Sequence, residues 1–388
     1  MIRKEGIKGK EKMLKKQNKK EQKKEKEQKS SPNLHAEDAA TSTILVTGGA
    51  GFIGSHVCEK LLEEGHTVVS IDNYNDYYNP EWKRENIAEI QNRIEKNDGK
   101  GGSKKFFAYE GDILHEDQLR KIAKTHRIHV IVHLAARAGV RQSIENPLLY
   151  TKVNINGTVQ ILNFARRAGI KNIIMGSSSS VYGVQTKTPY KETDVVEEQI
   201  SPYAVTKRVG ELLASTYHQL HHLNMVCLRF FTVYGPRGRP DMAPYKFTKA
   251  VLEEKEIEMY GGGETKRDYT YVGDIAKGVF KAVQFLETQN RKNQEVQNQG
   301  IFEIINLGQG RPIGLKSFIQ VVETEVGKKA RLKQVPPKPG DVPLTFADIR
   351  KAKKLLGYEP HVEVQEGMKS FVAWYQNERG ERGKEQEE

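Results

Sequence analysis

Three residues of this chain could together hold an alcohol and remove its proton. Tyr203 and Lys207 lie four residues apart in a segment that starts after Pro202, so both side chains share one face if the segment is helical. Ser178 lies 25 residues before Tyr203, at the expected end of an apolar strand. The phenol could act as a base toward a carbinol while the serine hydroxyl holds the same oxygen.

The phenol needs assistance to act as a base near neutral pH. A tyrosine pKa of about 10 is roughly 3 units too high, which corresponds to about 4 kcal/mol. An ammonium about 4 Å away supplies on the order of 4 kcal/mol at an effective dielectric constant near 20. We therefore expect Lys207 to lower the pKa of Tyr203. The spacing alone is weak evidence, because Tyr245 and Lys249 share it by chance.

A glycine-rich segment, TGGAGFIG, occupies residues 47–54 between the apolar residues 44–46 and an expected helix that begins near Phe52. Strand, tight turn and helix in this order are typical of a dinucleotide-binding motif. Gly48 lets the chain turn sharply, Gly51 brings backbone N–H groups close to a pyrophosphate, and Gly54 allows close packing of the helix. Phe52 and Ile53 complete the turn. The alternative is a β–α turn that is merely rich in glycine.

An acidic residue follows the second expected strand. Asp72 lies 18 residues beyond Gly54, close to the roughly 20 expected for a carboxylate that binds a ribose. A carboxylate accepts a hydrogen bond from a 2′-hydroxyl and repels a 2′-phosphate, and Asn73 follows instead of a basic residue. We therefore predict NAD as the cofactor rather than NADP. Further cofactor contacts are expected at the ends of the third and fourth strands, although plain buried strand ends are the alternative: Asp112, Ile113, Leu134, Ala135 and Ala136.

Short apolar strands alternate with helical segments along the first part of the chain. The expected strands lie near 43–47, 67–71, 105–109, 129–134, 171–177 and 224–231. This alternation predicts an α/β fold with a Rossmann-type, doubly wound parallel sheet.

After Gly235 the elements become shorter, with helices expected at 241–253, 273–287, 315–326, 348–356 and 364–376 and strands at 257–260 and 301–306. We therefore predict an NAD-binding Rossmann domain at 43–235 and a smaller C-terminal α/β substrate-binding domain at 236–376. Charged tails are predicted at 1–42 and 377–388.

The basic charge of the chain is concentrated at its start. The formal net charge is +12, but the first 30 residues hold 13 Lys and Arg against 5 Glu, so only about +4 remains for the rest. This distribution does not favour a specific nucleic-acid binder. The segment 1–42 is predicted to be a disordered, solvated tail, although contact with anionic membrane or RNA is an alternative.

Other classes of protein are also disfavoured. The 37% hydrophobic content suits a soluble enzyme, and there is no run of 18 apolar residues, so we predict neither a signal peptide nor a membrane span. Cys58 and Cys227 lack metal-ligand spacing. We therefore predict no metal site and a cytoplasmic location.

Several longer strings are more specific than the glycine turn. DNYNDYY, HLAARAGVRQS, SSSSVYG, SPYAVTK, LRFFTVYGPRGRPDM and RDYTYVGDI resemble the extended short-chain dehydrogenase/reductase family of NAD-dependent epimerases and dehydratases over about residues 43–376. Within that family the resemblance is to the UDP-glucuronate 4-epimerases. It implies tightly held NAD, a nucleotide-sugar substrate, catalysis by Ser178, Tyr203 and Lys207, and a homodimer built on a bundle that includes helix 202–221.

The resemblance also implies contacts with a UDP-sugar. Thr232 and Arg239 resemble the groups that hold the uronate, and Arg suits a planar carboxylate. The alternative for Arg239 is an ion pair with Asp241 or a role in fixing a loop. Arg267 resembles a pyrophosphate-binding arginine and Asp341 a carboxylate that binds the uridine ribose, although both could be surface charges.

Two serines that we predict to contact the substrate distinguish between the possible reactions. Dehydratases of this family carry an Asp-Glu pair before the Val-Tyr-Gly, and decarboxylases carry Glu at the second position, whereas this chain has Ser179 and Ser180. Removal and return of hydride at C4 needs no further acid, which favours conversion of UDP-glucuronate to UDP-galacturonate through a 4-keto intermediate. The alternatives are a UDP-glucose/UDP-galactose or N-acetyl 4-epimerase, a UDP-glucuronate decarboxylase, and a non-catalytic NAD-binding scaffold.

Overall fold

The computed structural model describes residues 41–97, 105–185, 187–293, 300–336 and 342–380. Of the two predicted tails, residues 1–40 and 381–388 lie outside this part of the chain. No helix within the described ranges combines the length and the apolar character needed to span a bilayer.

Thirteen strands are present in the described residues. They are β1 (Thr43–Thr47), β2 (Thr67–Asp72), β3 (Phe106–Glu110), β4 (Val130–His133), β5 (Asn172–Ser178), β6 (Asn224–Phe230), β7 (Thr232–Tyr234), β8 (Glu256–Tyr260), β9 (Lys266–Arg267), β10 (Tyr269–Tyr271), β11 (Phe302–Leu307), β12 (Ile313–Gly314) and β13 (Arg331–Val335). Seven of them form a parallel sheet in the order β11-β6-β5-β4-β1-β2-β3. The predicted Rossmann-type α/β fold is therefore confirmed.

Helices cover both faces of this sheet. The α-helices of the described residues, not all of which pack on this sheet, span Phe52–Glu63, Pro80–Asn97, Glu116–Thr125, Val140–Glu145, Pro147–Tyr150, Gly157–Ala168, Pro202–His221, Ala243–Leu252, Val272–Asn293, Leu315–Val326, Arg350–Leu356 and Val364–Tyr375. Along β1, Ile44 and Val46 pack into the apolar core on one face, and Leu45 packs into the core on the other. Successive side chains point to opposite faces of a strand, so a strand covered on both sides reads as one continuous apolar run.

The sequence predicts a smaller domain after Gly235, but some of the elements after Gly235 belong to the large sheet and its core. The strand expected at 301–306 is β11. It is the edge strand of the large sheet and pairs in parallel with β6. The preceding helix, 272–293, packs in the same core as Val57 and Leu61 of helix 52–63. The described residues from Ser42 onward belong to one compact unit. A functional division at residue 235 therefore stays a prediction.

The remaining elements after Gly235 form a second apolar cluster. Strands β7 and β10 pair in parallel, as do β8 and β13, while β9 and β12 pair antiparallel. Helices 243–252, 315–326 and 364–375 contribute most of the buried side chains of this cluster. Tyr245, whose spacing to Lys249 mimics the catalytic pair, lies in this core against Phe371 and Tyr375.

If β11 belongs to the central sheet, removing side-chain volume from it should destabilise the whole fold. Leu307 is fully buried, so Leu307→Ala should lower the free energy of unfolding by about 2–5 kcal/mol in chemical denaturation. Leu332→Ala is the matched control because Leu332 on β13 is 48% exposed. Equal, small effects of the two substitutions would contradict the placement of β11.

Candidate active site

The glycine turn is packed so closely that two of its glycines cannot be replaced without displacing backbone. Gly48 has a φ of +72°, and a Cβ there would lie 2.8 Å from the Cα of Ala135. A Cβ on Gly54 would lie 2.0 Å from the carbonyl oxygen of Gly48. The turn and the helix that begins at Phe52 therefore form one tightly packed corner.

One cavity of about 360 Å³ joins this corner to the predicted catalytic residues. All the predicted catalytic and cofactor residues line it: Gly48, Gly51, Phe52, Ile53, Gly54, Asp72, Asn73, Asp112, Ile113, Leu134, Ala135, Ala136, Ser178, Tyr203 and Lys207. Four predicted substrate residues line it as well: Ser179, Ser180, Thr232 and Arg239. The cavity lies where the carboxyl ends of the parallel strands meet, which is where ligands bind in open α/β sheets.

Asp72 ends β2 and faces the glycine turn. Its carboxylate accepts hydrogen bonds from the backbone N–H of Ala50 at 3.2 Å and of Tyr74 at 3.0 Å. Burial raises the pKa of Asp72, while the charge of Lys83 and these backbone donors act in the opposite direction. Asn73 donates to the carboxylate of Asp112 at 2.9 Å, which joins the ends of β2 and β3 beside the cavity.

The residues around the turn fit a dinucleotide. A Cβ on Gly51 would meet only the Gly48 carbonyl oxygen within 4 Å, at 3.3 Å, so the packing of the chain itself leaves room on the cavity side. Lys83 is buried and lines the cavity, where it donates to the carbonyl oxygen of Asn75 at 2.7 Å. Among the described residues no carboxylate lies within ion-pairing distance of its ammonium. A buried cation beside a helix N-terminus is suited to a pyrophosphate.

Ser178, Tyr203 and Lys207 come together at the other end of the cavity. Helix 202–221 starts with Pro202, and the Ser201 hydroxyl caps it by accepting from the N–H of Ala204 at 3.2 Å. The Lys207 ammonium donates to the carbonyl oxygen of Gly176 on β5 at 2.7 Å. Ser178, the last residue of β5, is close enough to the Tyr203 phenol to lower its pKa.

The expected lowering of the Tyr203 pKa by Lys207 stays a prediction. Burial raises the pKa of Tyr203; the hydrogen bond from Ser178 and the charge of Arg239 act in the opposite direction, and Asp241 adds to the rise. The Lys207 ammonium lies 6.0 Å from the centroid of the Tyr203 ring and is engaged with Gly176. The spacing of four residues places both side chains on the cavity wall, and Lys207 ties their helix to β5.

Lys207 is itself held in a buried polar network. Burial lowers its pKa to about 8, while Glu211, one helical turn further on, acts in the opposite direction. The Glu211 carboxylate accepts from Arg229 of β6 at 2.8 and 2.9 Å and from the Ser177 hydroxyl of β5 at 2.7 Å. One carboxylate thus joins the helix that carries Tyr203 to two neighbouring strands.

The predicted uronate residues lie in the cavity, but Arg239 already has a partner. Its guanidinium donates to both oxygens of Asp241, each at 2.8 Å, which is the alternative considered from the sequence. Arg239 still lines the cavity and is close enough to Tyr203 to affect its pKa. The position of Arg239 is therefore compatible with binding of the uronate as well as with the ion pair to Asp241.

Two predicted substrate residues are not placed at the cavity. Arg267 lies on β9, donates to the carbonyl oxygen of Lys266 at 3.0 Å, and does not contribute to the cavity wall. Asp341 lies outside the described residues. Their roles in binding UDP stay predictions.

Several residues at the site were not predicted from the sequence. Tyr77, Lys83 and Arg137 line the cavity, and Asn154 fixes the backbone of Arg137 through hydrogen bonds of 2.8 and 2.9 Å. Tyr77 falls in the DNYNDYY string and Arg137 in HLAARAGVRQS, so the signal was present. Their side-chain directions depend on loop conformations that no periodicity describes.

Known proteins are similar to this chain over most of its length. An uncharacterised protein of Methanocaldococcus jannaschii is 44% identical over 86% of this chain and 95% of its own length. A UDP-glucuronate 4-epimerase of Thermodesulfobacterium geofontis is 42% identical over 85% of this chain and 95% of its own. A crystal structure of the UDP-glucuronic acid 4-epimerase of Bacillus cereus with UDP-glucuronic acid and NAD has a TM-score of 0.75 at 35% identity, covering 86% of this chain and 99% of that one.

A model of the family described as GDP-mannose 4,6 dehydratase matches residues 45–371. The match includes the glycine turn, the three candidate catalytic residues and β11. It agrees with the resemblance to epimerases and dehydratases that the sequence strings indicated. The chain therefore belongs to the GDP-mannose 4,6 dehydratase family.

Proposed function

We propose that this protein is an isomerase, an NAD-dependent UDP-sugar 4-epimerase that interconverts UDP-glucuronate and UDP-galacturonate through a 4-keto intermediate. The observation that carries the proposal is the single cavity that joins the glycine turn to Ser178, Tyr203 and Lys207. The similarity to a UDP-glucuronate 4-epimerase and to a structure with UDP-glucuronic acid and NAD supports the same reaction.

The glycine turn, Asp72 and Lys83 are placed to hold the cofactor. Asp72 suits the ribose hydroxyls, Lys83 suits the pyrophosphate, and Leu134, Ala135 and Ala136 offer a flat wall of small residues. When bound, NAD supplies the acceptor that takes hydride from C4 and later returns it.

The protein's own residues handle the proton and orient the sugar. Tyr203 takes the C4 hydroxyl proton and returns it, and Ser178 holds the same oxygen. Lys207 fixes the helix at Gly176 and contributes a cation near the site. Because the ring has to present both faces, we propose that Arg267 and Asp341 hold the UDP end while the sugar turns.

The carboxylates of the cavity do not suit dehydration or decarboxylation. Among the described residues that line it, Asp72 and Asp112 are the only carboxylates, and both lie at the cofactor end. Ser179 and Ser180 follow Ser178 directly, with the Ser178 and Ser180 hydroxyls 3.1 Å apart. Neutral hydroxyls there leave the 4-keto sugar without an acid to eliminate water.

Arg239 is the observation that favours an acidic sugar over glucose or an N-acetyl sugar. It is a permanent cation on the cavity wall, which Thr232 also lines. A guanidinium there could hold the C6 carboxylate of a uronate, whereas the hydroxymethyl group of glucose has no matching charge.

The direct test is incubation of the purified chain with UDP-glucuronate and no added NAD, with the products separated by chromatography. We expect UDP-galacturonate, and we expect Tyr203→Phe to lower kcat by about 10²–10⁴-fold because the base is lost. Tyr245→Phe is the matched control, since Tyr245 has the same spacing to a lysine but lies in the core. A UDP-pentose product, or full activity of Tyr203→Phe, would contradict the proposal.

Removal of the Ser178 hydroxyl should change the pH dependence of the reaction. The hydrogen bond from Ser178 lowers the pKa of Tyr203, so Ser178→Ala should raise that pKa and reduce the phenolate fraction at a given pH. The ascending limb of kcat/KM against pH should therefore move to higher pH than in the wild type. A limb that stays in place, or moves to lower pH, would show that Ser178 does not act on the base.

We further propose a homodimer and a cytoplasmic location. Apolar side chains are exposed along helix 202–221 and the short helices 140–145 and 147–150 that pack beside it: Ile144, Leu148, Val205, Leu212 and Leu220. A stripe of this kind is suited to a second copy of the same bundle. Cys58 and Cys227 are buried free thiols, which fits a reducing compartment.

The dimer proposal is tested by placing a charge on this stripe. Leu212 is 51% exposed, so Leu212→Glu should leave the monomer folded but shift the molar mass in light scattering toward that of one chain. Leu332→Glu, at a similarly exposed leucine on β13, should leave the molar mass of the wild type unchanged. Dissociation by both substitutions, or by neither, would argue against this interface.

A further inference from the structure

The Arg239 guanidinium has two edges that can each hold a carboxylate, and Asp241 occupies one of them. Nε donates to Oδ1 and Nη2 donates to Oδ2, each at 2.8 Å. Within the described residues no hydrogen bond involves Nη1. The edge formed by Nη1 and Nη2 is therefore available to a ligand, and Arg239 lines the cavity.

Tyr77, from a different part of the chain, contacts both Arg239 and Asp241. Its ring lies 5.5 Å from the guanidinium carbon of Arg239, and its hydroxyl donates to Oδ2 of Asp241 at 3.3 Å. One aromatic side chain thus contacts both members of the ion pair. Rotation of Arg239 about its long side chain would break the contacts with Tyr77 and Asp241 together.

The loop that carries the pair is also anchored to the cofactor-binding half of the fold. Arg237, two residues before Arg239, is buried and donates to Glu59 at 2.9 Å and to Glu89. His56 contacts the carbonyl oxygen of Pro236 at 2.9 Å. The backbone of Arg239 is therefore fixed independently of its side chain, so Asp241 is left to set the direction of the guanidinium.

We propose that Asp241 is a positioning residue for specificity: it holds the Nε–Nη2 edge of Arg239 so that the Nη1–Nη2 edge receives the substrate carboxylate. This inference rests on the proposed function. Arginine has a long, flexible stem, and a bidentate site needs both of its donors in one fixed plane. The substrate carboxylate on the Nη1–Nη2 edge is then the second carboxylate paired with the largely buried Arg239 guanidinium.

Asp241 is ionised in this position. Burial acts to raise its pKa, but the charge and hydrogen bonds of Arg239 outweigh burial and lower it. The Asp241 side chain is 20% exposed, and so is that of Arg239. The negative charge of Asp241 makes Arg239 less attractive to unrelated anions, so geometry rather than charge alone selects the uronate.

The test is isothermal titration calorimetry of the full chain with UDP-glucuronate and with UDP-glucose. We expect Asp241→Asn to weaken binding of UDP-glucuronate about tenfold, as expected when a charge-assisted contact is misdirected, and to change that of UDP-glucose less than about twofold. In an Arg239→Ala background, Asp241→Asn should have no further effect on UDP-glucuronate. Asp348→Asn is the matched control, because Asp348 pairs with Arg350 in the same two-residue arrangement away from the cavity.

Other outcomes would overturn the proposal. Tighter binding of UDP-glucuronate by Asp241→Asn would mean that Asp241 competes with the uronate for Arg239. Equal weakening of both ligands would mean that Asp241 only stabilises its loop. If the wild-type chain binds both ligands equally, the proposed preference for a uronate fails first, and the role of Asp241 fails with it.

Discussion

The hydrogen bond of 2.7 Å from the Lys207 ammonium to the Gly176 carbonyl oxygen sets the geometry of the candidate active site. Gly176 lies two residues before Ser178 on β5, and Lys207 lies one helical turn after Tyr203. This one contact therefore fixes the phenol relative to the serine. Gly176 is buried and Lys207 is partly buried, and in such surroundings a hydrogen bond is stronger than in water and an unpaired ammonium is costly. Because proton transfer needs its partners within hydrogen-bonding reach, the packing of helix 202–221 on the sheet is a requirement of the chemistry.

Burial of charged side chains costs solvation free energy, and ion pairs between these side chains offset that cost. Glu211 pairs with Arg229 behind Lys207, and Asp241 pairs with Arg239 on the cavity wall. The Tyr203 phenol shows how the balance is reached: burial raises its pKa, two neighbours oppose the rise and one adds to it. The basicity of Tyr203 is thus set by several groups on different elements. Lys207 holds the helix in place through its hydrogen bond to Gly176.

The sequence predicted the elements with long apolar runs and the residues within short motifs. The first six strands of the large sheet were found within two residues of their ends, because buried parallel strands are continuous apolar segments. Strands of two or three residues, such as β9 and β12, are too short for any periodicity. The pairing of β11 with β6 joins segments about 77 residues apart and has no local signal. The partner of Arg239 and the pKa of Tyr203 depend on side-chain directions, which spacing along one helix or loop does not determine.

In the proposed reaction, the hydrogen removed from C4 of the sugar returns to the same carbon without exchange with water. The most direct measurement is conversion of UDP-glucuronate by the purified chain in D₂O, followed by proton NMR of the product. We expect UDP-galacturonate that carries protium at C4, because hydride does not exchange with solvent while the phenol proton does. Deuterium at C4 of the product would contradict the proposed reaction.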